Sequence, residues 1–273
     1  MSLPNKKSGF LARKCTRILV GILLLLFLLL ITVPIVSLFT RVGLEDILVA
    51  LASEQARDAL TLSAFTAVIS TIVVVIFGTP LAYVNARNSY PGRDIVDTLT
   101  DLPIVLPPTV AGLALLMAFG KNGLLGQYFS IFGITIAFST TAVVIAQIFV
   151  ASPFFIRQAR SSFEAIDLDY EAASRTLGAG PVRTFFRVTL PLAASSLLSG
   201  VVMTFARALG EFGATMMFAG NFQGKTQTMP LAIYSALQSN TAVSIALAII
   251  LVIFSFAIIL LVKYLGRRTQ RYA

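Results

Sequence analysis

Residues 171–191 read EAASRTLGAGPVRTFFRVTLP, the one long polar segment in a chain otherwise built of apolar runs. Glu171, Arg175, Arg183 and Arg187 lie there between a run ending near residue 156 and another beginning near 192. A polar island flanked by spans, on the side where basic residues collect, reads as a docking surface for a soluble partner. The flanking runs fix the fold class. Only 12% of the 273 residues are charged and 57% are hydrophobic, with a mean hydropathy of +0.88; this is the balance of a membrane protein. A span needs about 20 mostly apolar residues. Six segments qualify: 18–39, 59–84, 103–119, 136–156, 192–219 and 241–264, the third short and proline-rich.

A net charge of +9 raises the question of nucleic acid, and the placement of the charge answers it. Lys6, Lys7, Arg13, Lys14 and Arg17 precede the first span. Arg87 and Arg93 follow the second, Arg157, Arg160, Arg175, Arg183 and Arg187 follow the fourth, and Lys263, Arg267, Arg268 and Arg271 end the chain. The alternate connections hold only Arg41, Arg57, Lys121 and Lys225. This positive-inside pattern places both termini and the 171–191 segment in the cytoplasm. The expected fold is an all-α membrane protein of six transmembrane helices, termini cytoplasmic, with a cytoplasmic helix between spans four and five. Its parts are a basic tail 1–17, one transmembrane domain 18–265 with a loop at about 163–191, and a cytoplasmic tail 266–273.

The first apolar run is too long for a signal peptide and no small-residue cleavage site follows it, so it reads as a retained anchor. Cys15 is the only cysteine, which excludes an intramolecular disulfide, and histidine is absent. No metal-ligand cluster, phosphate loop or catalytic constellation appears, so no cofactor or metal is expected on this chain.

Phe163, Ile166, Tyr170 and Leu177 recur at helical spacing, which fits a helix over 163–177 ended by Gly178 or Gly180. Asp167 or Asp169 could instead cap a shorter helix starting near Leu168. Residues 40–58 hold a short surface helix, 85–97 a turn around Pro91-Gly92, 120–133 an outer loop, and 220–230 an outer or partly re-entrant loop. Prolines within or at the ends of spans either bend helices that open a path or reflect the frequency of proline in membrane helices.

Arg207 and Glu211 are the only charges deep in a span, where each costs about 2.5–3.5 kcal/mol on insertion scales. Four residues apart, they face one another as gate or path residues, or as a structural ion pair at a subunit interface. Ala206, Gly210 and Ala214 form a small-residue stripe beside them, suited to packing between or within subunits. Pro107-Pro108-Thr109 interrupts the third span. A helix restarting near Thr109 would aim its positive end at an anion in the path, or the prolines merely kink the span. Pro107, Thr109, Arg207 and Glu211 are therefore the path or gate candidates.

Gly178, Val188, Leu190 and Pro191, at their spacing, resemble the EAA loop of ABC importer permeases. Counting back from Gly178, Ala172, Ala173 and Ser174 occupy the E-A-A positions and Glu171 falls one place early. The segments PIVLPPTVAGLALLMAFGKNGLLG (103–126), AQIFVASPFFIRQARSSFEAID (146–167) and FARALGEFGATMMFAGNFQGKTQTMPLAIY (205–234) are similar to the molybdate/tungstate, sulfate-related branch. The resemblance implies a coupling helix seating in an ATPase cleft, formed by Asp167, Asp169, Tyr170, Glu171, Ala172, Ala173, Arg175, Leu177, Gly178 and Ala179. It also implies a homodimer of this chain in a prokaryotic cell (inner) membrane. ATP and Mg would be bound by a separate ATP-binding cassette ATPase subunit, and a periplasmic or extracellular binding protein would deliver the oxyanion. The expected activity is ATP-driven import of molybdate or tungstate by alternating access, with no catalytic residue in this chain. Sulfate or thiosulfate import, an ion-coupled anion carrier and a non-transporting scaffold are the alternatives. With Glu171 off-register, Ala173→Pro or Gly178→Asp is expected to uncouple transport more than Glu171→Ala.

Overall fold

The computed structural model describes residues 6–270, with side chains from Thr16 to Val262 and Tyr264. The outermost parts of both tails, 1–5 and 271–273, lie outside the described residues, as do the side chains of Lys6, Lys7, Arg13, Lys14, Cys15, Lys263, Arg267 and Arg268. Every regular element among the described residues is helical. α1 (Lys6–Phe39) leads through α2 (Leu44–Ala52), the expected short surface helix, to α3 (Glu54–Arg87). α4 (Arg93–Val105) and α5 (Pro108–Phe119) are two halves of one span, bent by 117°. α6 (Gly126–Ile131) precedes α7 (Thr140–Glu164) and the short α8 (Leu168–Thr176). α9 (Pro181–Thr184) runs through a π-helical turn (Phe185–Thr189) into α10 (Leu190–Leu209). α11 (Gly213–Phe218), α12 (Met229–Ser239) and α13 (Thr241–Gln270) complete the chain. Five helical stretches are long and apolar enough to cross a membrane, six with the bent α4–α5 pair.

α7 is the centre of the bundle, packed against α3, α10, α11 and α4. Its fully buried Ala142, Ala146, Ala151 and Ala159 let those neighbours approach closely. Polar side chains tie the apolar faces together. Gln147 donates to Thr66 Oγ1 at 3.1 Å and accepts from Ser70 at 3.0 Å, while Gln158 donates to Ser196 at 2.8 Å. Apolar packing surrounds these ties: Val74, Phe155, Phe163 and Leu197 between α3, α7 and α10, and Leu115, Val143 and Phe218 between α5, α7 and α11. By contrast, the apolar stretch of α1 within Thr16–Phe39 buries nothing in the protomer.

Three expectations change. First, the fifth span does not run to 219. α10 stops at Leu209, where Gly210 is the C-cap, a residue with poor helix propensity; the chain restarts as α11. The small-residue stripe is therefore split: Ala206 and Gly210 are exposed, while Ala214 is buried one element later. Second, the polar stretch after Pro91-Gly92 is already helix from Arg93, because two of its three acids are paired. Asp97 meets Arg93 and Arg160, Asp101 meets Arg157, and Asn85 donates to Asp97 at 2.8 Å. Third, residues 163–177 are not one helix. α7 ends at Glu164, and the Asp167 side chain caps α8 by accepting from the Asp169 N–H at 3.0 Å, the shorter of the two alternatives. Beyond the loop at 220–228, α12 is an element that periodicity did not reveal.

Candidate functional site

α8 is a nine-residue helix standing out from one end of the bundle, and a single buried carboxylate anchors it. Glu171 is 2% exposed. Its Oε1 accepts from Arg87 Nε and from Thr189 Oγ1, each at 3.0 Å. Its Oε2 accepts from the Tyr83 hydroxyl and from Arg175 Nη2, each at 3.2 Å. Arg87 also donates to the Ile166 carbonyl at 3.2 Å, which fixes the turn entering α8. The carboxylate thus joins the end of α3, the π-turn and α8 in one polar knot. Two arginines and two hydroxyls satisfy its lone pairs, which is what a buried charge requires. At the far end of the helix Ser174 and Thr184 share a 3.1 Å hydrogen bond, and Gly178, at φ +82°, makes the left-handed turn that ends the helix.

α8 and the residue that ends it expose apolar side chains on more than one side. Leu168, Tyr170 and Leu177 are 60%, 59% and 88% exposed. Ala172, Ala173, Arg175 and Asp169 are exposed around them, and Ala179 is half-buried behind the Gly178 turn. A rigidly anchored helix presenting apolar and aromatic side chains rimmed by charge is suited to seat in a cleft of another protein. The sequence-expected residues from Asp167 to Ala179 are all in this one feature. Tyr83, Arg87 and Thr189, which hold it in place, were missed; the only sequence signal for them was a cationic Arg87 at a span end and an acid across the loop.

The path candidates meet at a second place. The break at 106–107 between α4 and α5 lies against the break at 210–212 between α10 and α11. A Cβ on Gly213 would come within 2.5 Å of Pro108 Cβ, and one on Gly112 within 2.7 Å of the Ala214 carbonyl. Glu211, 1% exposed, spans the second break. Its Oε1 accepts from the Ala214 N–H at 2.8 Å, capping α11, and Arg207 Nη1 stands 2.9 Å from Oε2. That second contact is an ion pair without hydrogen-bond alignment, which leaves Oε2 with no directional partner. Glu211 is beyond the helix that carries Arg207, so the pair bridges a break instead of decorating one face. Pro107 and Thr109 are exposed at the start of α5, and Arg207 is partly exposed. The α4–α5 break interrupts a candidate span, and irregular backbone within a span is tolerated only if buried in protein or lining a cavity; the 210–212 break follows the end of the Pro181–Leu209 span. Among the described residues no cluster of acids, histidines and cysteines is arranged to hold a metal ion.

Comparison with known proteins gives one consistent family. Residues 75–271 match the model described as binding-protein-dependent transport system inner membrane component. The chain is 42% identical to the molybdenum transport system permease protein ModB of Mycobacterium tuberculosis, over 84% of this chain and 87% of that one. It is 35% identical to the sulfate transport system permease protein CysW of Synechocystis, over 95% of each. Among solved structures, a bacterial ABC transporter importing the acidic polysaccharide alginate superposes with a TM-score of 0.75, at 16% identity, over 96% of this chain and 99% of that chain. At that identity the last likeness concerns the fold alone.

Proposed function

The chain belongs to the binding-protein-dependent transport system inner membrane components, multi-pass permeases of the ABC importer class, and from that premise we propose that it carries molybdate or tungstate into the cell. The observation that carries this is the 42% identity to a molybdenum permease along most of both chains. In the proposed assembly two copies of this chain enclose the path, an ATPase subunit seats on each α8, and an external binding protein delivers the oxyanion. α8 and both termini face the cytoplasm.

A coupling route follows on this reading, and the hydrogen bonds of Glu171 support it. A force on α8 passes through Glu171 to Arg87 on α3 and to Thr189 at the foot of α10. α10 ends at the break that Glu211 braces, and that break lies on the broken third span. Movement of the ATPases therefore reaches the paired breaks through rigid helices. Energetics make a driven process necessary: moving a dianion inward against 100 mV costs about 4.6 kcal/mol, at about 2.3 kcal/mol per charge. The similarity to a sulfate permease supports sulfate or thiosulfate as the second reading.

Reconstitution with the co-purified ATPase and binding protein tests the proposal. ATP-dependent uptake of labelled molybdate, resistant to a protonophore and to excess sulfate, is expected. Uptake that persists without ATP, or that sulfate suppresses at equal concentration, would overturn class or substrate respectively.

A further inference from the structure

We propose that the groove between α3 and residues 181–190 holds an acyl chain of an anionic phospholipid, whose phosphate pairs with Arg183 and Arg187. The groove has a volume of about 660 Å³ and an almost wholly apolar lining that includes Ile76, Pro80, Val84, Val182 and Phe186. Ile76, Val182 and Phe186 are 60%, 69% and 61% exposed, so the protomer itself leaves it open. It runs along α3 from Val75 to Val84. Those nine steps span about 14 Å at 1.5 Å per residue, about the depth of one leaflet of a hydrocarbon core roughly 30 Å thick.

Charge decides between lipid and a purely apolar occupant. At this end of the molecule Arg87, Arg93, Arg157, Arg160 and Arg175 each have a carboxylate partner. Arg183 and Arg187 are exposed and have none among the described residues. They follow Val182 and Phe186 directly in sequence, next to residues that line the groove but outside its lining. Arginine presents a planar fork that matches phosphate oxygens, and its apolar stem can rest on apolar surface while the charge reaches the headgroup level. Basic pockets between helices on the cytoplasmic side attract anionic headgroups in this way; that these arginines face that side rests on the topology proposed above. Occupancy would bear on coupling, because Phe185, also lining the groove, packs edge-on against Tyr83 at 4.9 Å. Tyr83 is one of the four side chains holding Glu171.

The test is native mass spectrometry of the detergent-purified full chain, alone and with its ATPase, titrated with phosphatidylglycerol or phosphatidylcholine of identical acyl chains. The wild type should prefer phosphatidylglycerol by about tenfold to thirtyfold, as two arginines at an anionic surface predict. Arg183→Gln/Arg187→Gln should lose the preference and keep residual phosphatidylcholine binding. Arg183→Lys/Arg187→Lys should retain most of the preference, and Phe186→Ser should weaken both lipids. Equal binding of the two lipids by the wild type overturns the proposal, as does a preference that survives the double Gln variant. Expulsion of the lipid by the ATPase or by a second copy of this chain also overturns it, since a protein then covers the groove. Binding is read without ATP, molybdate or sidedness, so failure here is distinct from failure of the transport reading.

Discussion

Replacing Glu171 with Gln should loosen α8 more than any surface change on the helix itself. The substitution keeps the volume and removes the charge on which four side chains converge. Arg87, its side chain 10% exposed, would be left with no carboxylate partner. Breaking a buried ion pair by removing one member costs about 3–5 kcal/mol, and part of that is retained through the amide oxygen. A loss of about 2–4 kcal/mol in the local opening free energy follows for Gln, and about 3–5 kcal/mol for Ala. Arg175, its side chain 58% exposed, contributes under about 1 kcal/mol to the same knot. Hydrogen exchange in the purified complex reads this directly, since exchange through local opening of α8 accelerates about tenfold per 1.4 kcal/mol while core α7 amides stay protected. Molybdate uptake per ATP hydrolysed should fall in the same order: Ala, then Gln, then Arg175→Ala. Arg87→Met/Glu171→Gln, which removes both charges, should recover part of the loss of Glu171→Gln alone. Unchanged α8 exchange in Glu171→Gln, or equal effects of Glu171→Ala and Arg175→Ala, would refute the anchoring role. The ranking drawn from the sequence changes accordingly. Gly178 has nothing within 4 Å of an added Cβ, so Gly178→Asp carries only the left-handed backbone penalty, about 1 kcal/mol, and should be milder than Glu171→Ala.

Asp167→Ala should cost about 1 kcal/mol by removing the α8 cap, visible as faster exchange confined to the first turn of that helix. Gly112→Ala should force α5 from α11 and cost about 1–3 kcal/mol, lowering thermal stability and uptake together, while Gly21→Ala, with open space around its Cβ, leaves both unchanged. Arg207→Met should impair uptake; if the pair is a structural brace, Arg207→Met/Glu211→Gln restores it, and if Arg207 meets the anion, the double variant stays impaired with a raised KM. Thr109→Val should raise the KM for molybdate if the start of α5 faces the path, and an unchanged KM removes Thr109 from it.

The spans were legible because membrane insertion imposes long apolar runs, a constraint written locally in the chain. α8 was legible for a related reason: Asp167, Gly178 and Pro191 mark its cap, its end and the return to the bilayer within one short segment, 167–191. What holds α8 was not, because Tyr83 and Arg87 lie 88 and 84 residues from Glu171, and no local pattern links them. The break at Gly210 was hidden for the opposite reason. Apart from Arg207 and Glu211 the sequence around it stays apolar, so no local signal marks where α10 stops and α11 restarts. α4 was under-read because its acids look solvated until Arg157, Arg160 and Asn85 are brought to them by the fold.

The π-turn at 185–189 has a consequence for how this chain tolerates change in length. A wide turn accommodates one residue more than a regular α-helix would. The extra residue is absorbed inside the widened turn, so α10 keeps nearly the rotational phase that a regular helix one residue shorter would give it. Deleting one residue from 185–188 would therefore restore a regular turn and leave Ser196 facing Gln158 on α7. The same deletion farther along, within regular α10, would turn everything beyond it by about 100°, because each α-helical residue rotates the chain by that much. The π-turn is thus the place where this stretch accepts a change in length that the rest of α10 does not.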